Sequence, residues 1–280
     1  MPDADHVKVS CLLVALPIPQ RLPYFSCSVA AYCRQTHSNT ELVIVLDEGT
    51  ADARASIAAQ VASLGRQDIR IVEPSGRCSL GALRNVSVDH ARGDVLCQWD
   101  DDDLHHPKRV ERQLEALLTS GGDAVYLEDA MQYFPDSRTL YWTNWRATEA
   151  KGLPGTLMCR RAAPIRYPET GADATLGEDS AVSMQLQRQS GFHVLTGAPH
   201  LYVYVSHGAN SWEAEHHRML ARELSISKAL LRRRETQLRE GLASFDFGPG
   251  VVTVQGYNGF AFTLDAAPSE SAASRHASAP

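Results

Sequence analysis

Four consecutive carboxylates, Asp100, Asp101, Asp102 and Asp103, stand in the stretch QWDDDDLHHPKR at 98–109. Neighbouring carboxylate charges repel by roughly 1 kcal/mol at ~4 Å in water, and by more where water is excluded. In an extended chain alternate residues share a face, which puts Asp100 and Asp102 on one side. Two carboxylates so placed suit a hard divalent cation such as Mg2+ or Mn2+, which is often held by one or two carboxylates plus substrate phosphates. A bound cation would also relieve the repulsion. The bland alternative is a solvated turn. A second acidic pair, Asp47 and Glu48, follows the run ELVIVL at 41–46.

The elements around these acids decide between the two readings. Apolar runs at 7–16, 41–46, 69–73, 94–99 and 123–127 predict strands, and the segments 22–35, 53–64 and 80–91 carry helical spacing. Pro107 fits the first turn of a further helix whose apolar face is Val110, Leu114, Leu117 and Leu118. Strand and helix in alternation predict an α/β domain with a mainly parallel sheet. Ligands gather at the carboxyl ends of such strands, where both acidic clusters fall. From 131 to 175 the pattern loosens. Tyr141, Trp142 and Trp145 in this segment could stack on a sugar or pack in a core.

The ordered segments VSCLLVALPIP, QTHSNTELVIVLDEGT, SLGALRNVSVDHARGDVLCQWDDDD, GTLMCRR, GED and SHGANSW resemble the family 2 glycosyltransferases, over roughly residues 7–212. The resemblance implies a GT-A (Rossmann-like) fold, with nucleotide-sugar binding in 1–104 and the acceptor side in 105–212. It implies a nucleotide-diphosphate sugar donor, with UDP the leading nucleotide, and Mn2+ or Mg2+ as cofactor. It places Asp47, with Glu48 beside it, near the donor's base, although relatives usually have two aspartates there. Asp100, Asp101 and Asp102 match the D-x-D motif, with a register open by one residue; Asp102 is favoured for the metal, and Asp100 and Asp101 for the nucleotide. Arg84 matches a cation near the nucleotide, the alternative being a surface helix residue. Asp179 matches the base of inverting members, with Glu178 next to it; a helix cap is the alternative. His207 matches a further metal or diphosphate contact. His105 and His106 are read as loop lining.

The chain has 44% hydrophobic and 21% charged residues and a net charge of −6, which disfavours nucleic acid as a partner. No apolar run approaches the roughly 20 residues of a membrane span, and acids precede the first apolar run, so a cytoplasmic location is expected. The six cysteines form no C-x-x-C pair and are read as small buried hydrophobes. Residues 213–265 form an extension beyond the resemblance, with one long helix predicted over 213–242. Its leucine stripe should pack on the catalytic domain or on a second copy as a homodimer, and Arg232–Arg234 could touch an anionic membrane surface. Residues 266–280, rich in Ala, Ser and Pro, are expected to be disordered.

The leading function is metal-dependent, inverting sugar transfer to a carbohydrate, lipid-linked or other glycoconjugate acceptor, as in cell-surface polysaccharide synthesis. A nucleotidyltransferase would be expected to carry a Gly-rich, cationic loop after its first strand, and LPIPQRLP is not one. A nucleotide- or glycan-binding protein without catalysis is the third reading, and the joint presence of Asp102, Asp179 and His207 argues against it.

Overall fold

Apolar runs become the central sheet in a computed structural model that describes residues 4–74, 76–188 and 191–265. Strands β1 (Val9–Ala15) and β2 (Thr40–Leu46) are almost entirely buried, as strands covered on both faces by helices must be. Helix α1 (Leu22–Cys33) joins them, and α2 (Ala51–Ser63) leads on to β3 (Ile69–Val72). Helix α3 (Leu80–His90) returns the chain to β4 (Val95–Gln98), and a two-residue β5 (Leu104–His105) follows the aspartate run. Helix α4 (Arg109–Ser120) then leads to β6 (Ala124–Leu127).

The second half contributes β7 (Asp129–Phe134), β8 (Thr139–Asn144), β9 (Met158–Arg160), α5 (Glu178–Arg188), β10 (Phe192–Leu195) and β11 (Tyr202–Val205). Helices α6 (Ala214–Leu224), α7 (Lys228–Arg233) and α8 (Glu235–Leu242) follow, then the hairpin β12 (Val252–Gly256) and β13 (Gly259–Leu264). The first sheet has the order β10-β6-β9-β4-β1-β2-β3, parallel except for β9. A second sheet has the order β13-β12-β8-β7-β11-β5. The chain passes from the first sheet to the second between β4 and β5, and Asp100–Asp103 form that crossing.

Three expectations change. The loosely patterned segment contains the hairpin of β7 and β8. Its period is hidden because polar residues are buried among apolar ones: Asp129, Gln132 and Thr143 all lie inside. Trp142 and Trp145 are core residues rather than sugar platforms, their indole N–H groups donating to Asp129 Oδ1 at 2.8 Å and Thr143 Oγ1 at 3.1 Å. The long helix breaks into three. The Ile226 N–H bonds the Trp142 carbonyl instead of continuing a helix, and Ser227 caps the next one through the Leu230 N–H.

The leucine stripe is consumed within the chain. Leu231, Leu238 and Leu242 share a core with Val252, Val254 and Phe262, while Leu220 and Leu224 pack beside Leu201 and Tyr202. All six cysteines are free thiols; Cys11, Cys97 and Cys159 are buried as expected, whereas Cys27 is exposed. Among the described residues no helix is long and apolar enough to cross a membrane. The expected disordered tail, 266–280, lies outside the described residues.

Candidate active site

Strand carboxyl ends open onto a cleft of about 770 Å3. Asp47 and Glu48 reach it from the end of β2, Asp100–Asp103 from the end of β4, and Glu178 and Asp179 from the start of α5. Eight carboxylates thus share the wall with three guanidiniums, those of Arg21, Arg77 and Arg84. Helix α3 also starts here, its Ser79 hydroxyl accepting the Ala82 N–H at 3.2 Å. The sequence expectations for these positions therefore converge on one place.

The four aspartates share partners in pairs: Arg21 bridges Asp101 and Asp102, and the Tyr202 hydroxyl lies between Asp100 and Asp103. Asp100 accepts from Arg84 at 3.1 Å and from the Tyr202 hydroxyl at 3.1 Å. Asp101 accepts from Arg21 at 2.5 Å, and the same guanidinium lies 2.6 Å from Asp102. The other Asp101 oxygen is buried with no hydrogen-bond partner. Burial pushes Asp101 up to about 7, because Arg21 is divided between two acids and Asp102 and Asp100 add repulsion. Asp102 is the best-supported anion. Burial acts to raise its pKa, but the His207 hydrogen bond and Arg21 outweigh it, leaving the carboxyl below its ordinary range. Asp103 accepts the Val205 N–H at 2.7 Å and the Tyr202 hydroxyl, which ties the run to β11. Burial and the charges of Asp102 and Asp100 drive its pKa well upward.

Arg84 is buried, not a surface helix residue. It donates to Glu178 at 2.7 Å and to Asp100 at 3.1 Å, linking the D-x-D segment to α5. Burial works against its charge, yet Asp100 and Glu178 hold its pKa above the ordinary value. Asp179 is half-buried in the first turn of α5, accepting the Ser180 N–H at 2.7 Å. Burial and the Glu178 charge push it up to about 7. Gly177, at φ +88°, supplies the left-handed turn that delivers both acids to the cleft.

His207 lies behind the cleft wall. Its Nε2 faces Asp102 Oδ2 at 3.1 Å, its Nδ1 accepts the Ala209 N–H at 3.0 Å, and its ring stacks on Tyr24 at 4.2 Å. Asn210 donates to Asp102 at 3.2 Å and to the Val205 carbonyl at 3.1 Å. Asp47 is half-buried at the far end, its pKa raised by burial, and accepts the Glu48 N–H. Glu48 pairs with Arg77 at 3.6 Å on the surface. His105 does not line the cleft. It is buried under the aspartates, stacked on Trp99 at 3.8 Å and bonded to Arg109, which with burial holds its pKa well down.

Arg21, Asn210, Tyr202 and Arg77 are the site residues that sequence reasoning missed. Arg21 carried one signal, a lone cation at the carboxyl end of the first strand. Asn210 lies within SHGANSW, three residues after His207.

The model of the family described as Glycosyl transferase family 2 matches residues 14–177. A provisionally named glycosyltransferase of Bacillus subtilis (strain 168), EpsE, is 29% identical over 144 residues, which cover 49% of this chain and 51% of that protein. A second provisionally named one, EpsH, is 33% identical over 93 residues, covering 33% of this chain and 25% of its own length. This chain therefore spans about half of EpsE and a quarter of EpsH. Among solved structures, Staphylococcus aureus TarS 1–349 in complex with UDP-GlcNAc has a TM-score of 0.54 at 15% identity, covering 84% of this chain and 66% of that one. The mannosyltransferase PcManGT of Pyrobaculum calidifontis, in complex with GDP-Man and Mn2+, has a TM-score of 0.54 at 15% identity, covering 87% and 65%. These structural likenesses carry the fold, which is the GT-A arrangement the sequence implied. With well over half of the chain matched by the family model, the protein belongs to glycosyl transferase family 2.

Proposed function

We propose that the protein transfers a sugar from a nucleoside-diphosphate donor, UDP-linked in the first instance, to an acceptor hydroxyl with inversion. The observation that carries this reading is the meeting of Asp100–Asp102 with Glu178 and Asp179 in one cleft, where Arg84 bonds both Asp100 and Glu178. TarS and PcManGT, which bind UDP-GlcNAc and GDP-Man, support the donor class.

The excess of carboxylates makes the cleft hostile to a diphosphate unless a cation accompanies it. The donor set fits a hard divalent ion: carboxylate oxygens of Asp102 and Asp100, and an Asp101 oxygen lacking any partner. Among the described residues no three His, Cys, Asp or Glu side chains form a metal cage. Mn2+ or Mg2+ is often held by one or two carboxylates and completed by phosphate oxygens. Asp102 would hold the ion, with His207 beside it. When bound it supplies charge neutralisation for the departing diphosphate.

The remaining steps belong to the chain. Asp47 and Glu48 take the base end of the donor. Arg84 and Arg21 hold the aspartates in register. Ionised Asp179 removes the acceptor hydroxyl proton as that oxygen bonds to the anomeric carbon and the bond to the diphosphate oxygen breaks. The acceptor is a carbohydrate or lipid-linked glycoconjugate, of the kind used in cell-surface polysaccharide synthesis.

Thermal denaturation with UDP and Mn2+ tests the donor site. Ligand at about 100 times its Kd stabilises the folded state by about 2.7 kcal/mol, a Tm rise of roughly 5 °C for a chain of this size. EDTA should reverse the rise. No shift with any nucleoside diphosphate plus metal would remove the donor-site assignment.

A further inference from the structure

The cationic run Arg232–Arg234 has no part in the chemistry above. Helix α7 leads into it, with Lys228 in that helix's first turn. From Ser225 to Arg234 the chain carries four cations and no acid, and 247–264 carries no charged residue at all. These two segments share one core, in a chain whose net charge is −6. The Lys228 N–H donates to Asn258 Oδ1 at 2.8 Å, the Tyr257 N–H to the Ile226 carbonyl at 3.3 Å, and Arg232 Nε to the Ala261 carbonyl at 3.2 Å. A Cβ at Gly256 would meet both the Ile226 carbonyl oxygen and the Lys228 nitrogen at 2.5 Å, so the start of α7 sits directly on the tip of the β12–β13 hairpin. Among the described residues no carboxylate forms an ion pair with any of the four cations; Glu235, the next acid along the chain, is taken by Arg239 at 2.6 Å.

Large apolar groups stand in water beside these cations. Tyr257, at the hairpin turn, is 64% exposed, and Phe260 is 50% exposed. The exposure of Phe260 is built into the backbone. Val254 pairs with Phe262 but Gln255 with Phe260, so Ala261 is an extra residue in β13, a β-bulge. Residues two apart in a regular strand share a face. The bulge breaks that rule here: Phe262 turns into the core, 5% exposed, and Phe260 turns out. Aromatic rings next to unpaired cations match a lipid surface, where rings enter the interface and cations meet anionic head groups. A long polyanion such as nucleic acid would also have to run past the chain's excess of acids. A membrane can engage this patch alone, because exposed charges more than about 8 Å away are largely screened.

We infer that α7 and the tip of the β12–β13 hairpin form a docking surface for an anionic lipid bilayer, with Lys228 and Arg232–Arg234 over the head groups and Tyr257 and Phe260 entering the interface. The surface shares no residue with the lining of the carboxylate cleft, so it stands or falls apart from the transferase reading.

Co-sedimentation of the full chain with lipid vesicles tests it. Vesicles of equimolar phosphatidylcholine and phosphatidylglycerol should carry the protein down, vesicles of phosphatidylcholine alone should not, and added salt should release it. Each cation removed should weaken partitioning about fivefold, so the double variant Arg233→Gln, Arg234→Gln should bind about 25-fold more weakly. The double variant Tyr257→Ser, Phe260→Ser should also bind more weakly while keeping the salt dependence. All four side chains are exposed, so both variants should keep the wild-type Tm, which separates lost docking from lost folding. Equal binding to the two kinds of vesicle, binding to neither, or unchanged partitioning in either double variant overturns the surface. Tighter binding to a single-stranded oligonucleotide than to the anionic vesicles overturns it as well, and would make the cluster a nucleic-acid contact.

Discussion

Asp179 combines a chemical assignment with a thermodynamic signature. Its carboxyl is held at about 7, against an ordinary 3.8, by burial and by the Glu178 charge. A base must be ionised to act, so kcat/KM should rise with pH through about 7 and level above it, measured as a pH–rate profile. Stability runs the other way. Between the two pKa values the folded state holds a proton that the unfolded state has lost, so this group's contribution falls as pH rises through that window. Asp179→Asn should therefore melt higher than the wild type at pH 8, an advantage that shrinks toward pH 5, while binding UDP with Mn2+ and failing to transfer sugar. Full transfer activity in that variant would take the base assignment away from Asp179. Sequence alone singled out Asp47, Arg84, Asp100–Asp102, Asp179 and His207 through the segments that resemble the family, although the family model ends at residue 177, before Asp179 and His207. It was silent on Arg21 and Tyr202, whose partners lie 80 and about a hundred residues away along the chain.

At the level of elements, short connecting turns set the geometry of the acids. The turn Pro154–Thr156 precedes β9, and a side chain at Gly155 would meet Asp100 Oδ2 at 2.8 Å and the Tyr202 hydroxyl at 3.3 Å. Gly155→Ala should displace Asp100, costing about 1–3 kcal/mol of stability by overpacking. It should weaken nucleotide binding more than it lowers Tm, as seen by titration calorimetry beside thermal melts. Unchanged nucleotide affinity would show that Asp100 has room to move. The sequence marked this segment through GTLMCRR without saying why glycine is needed; the approach of Asp100 supplies the reason. Strands β1, β2 and β4 were legible because they are almost entirely buried and read as largely apolar runs. The hairpin of β7 and β8 was not, since polar residues are buried along it: Asp129 accepts from Trp142 and Asn144, and Gln132 donates to Ser206. The break between α6 and α7 was hidden for a similar reason: the Trp142 carbonyl, remote in sequence, captures the Ile226 N–H.

For the molecule as a whole, the last hairpin is part of the fold's second core. Strand β12 pairs with β8, and Val252, Val254, Ala261 and Phe262 cover Leu231, Leu238 and Leu242. Each large buried apolar side chain contributes about 1.5–3 kcal/mol, and total stabilities are only about 5–15 kcal/mol. A chain ending at Ser244 should therefore be recovered mainly as aggregate or melt far below the full chain, as size-exclusion chromatography and calorimetry would show; an unaltered Tm would make the hairpin an ornament. The crossing from β4 to β5 has a larger consequence. Its four aspartates belong to neither sheet, taking partners from α1, α3, β11 and the 207–210 loop. The donor recognition proposed above is thus assigned to the seam. A segment excised from either bank should therefore fail to bind UDP with Mn2+, and a recombinant should keep the site only when both banks of the seam come from one parent.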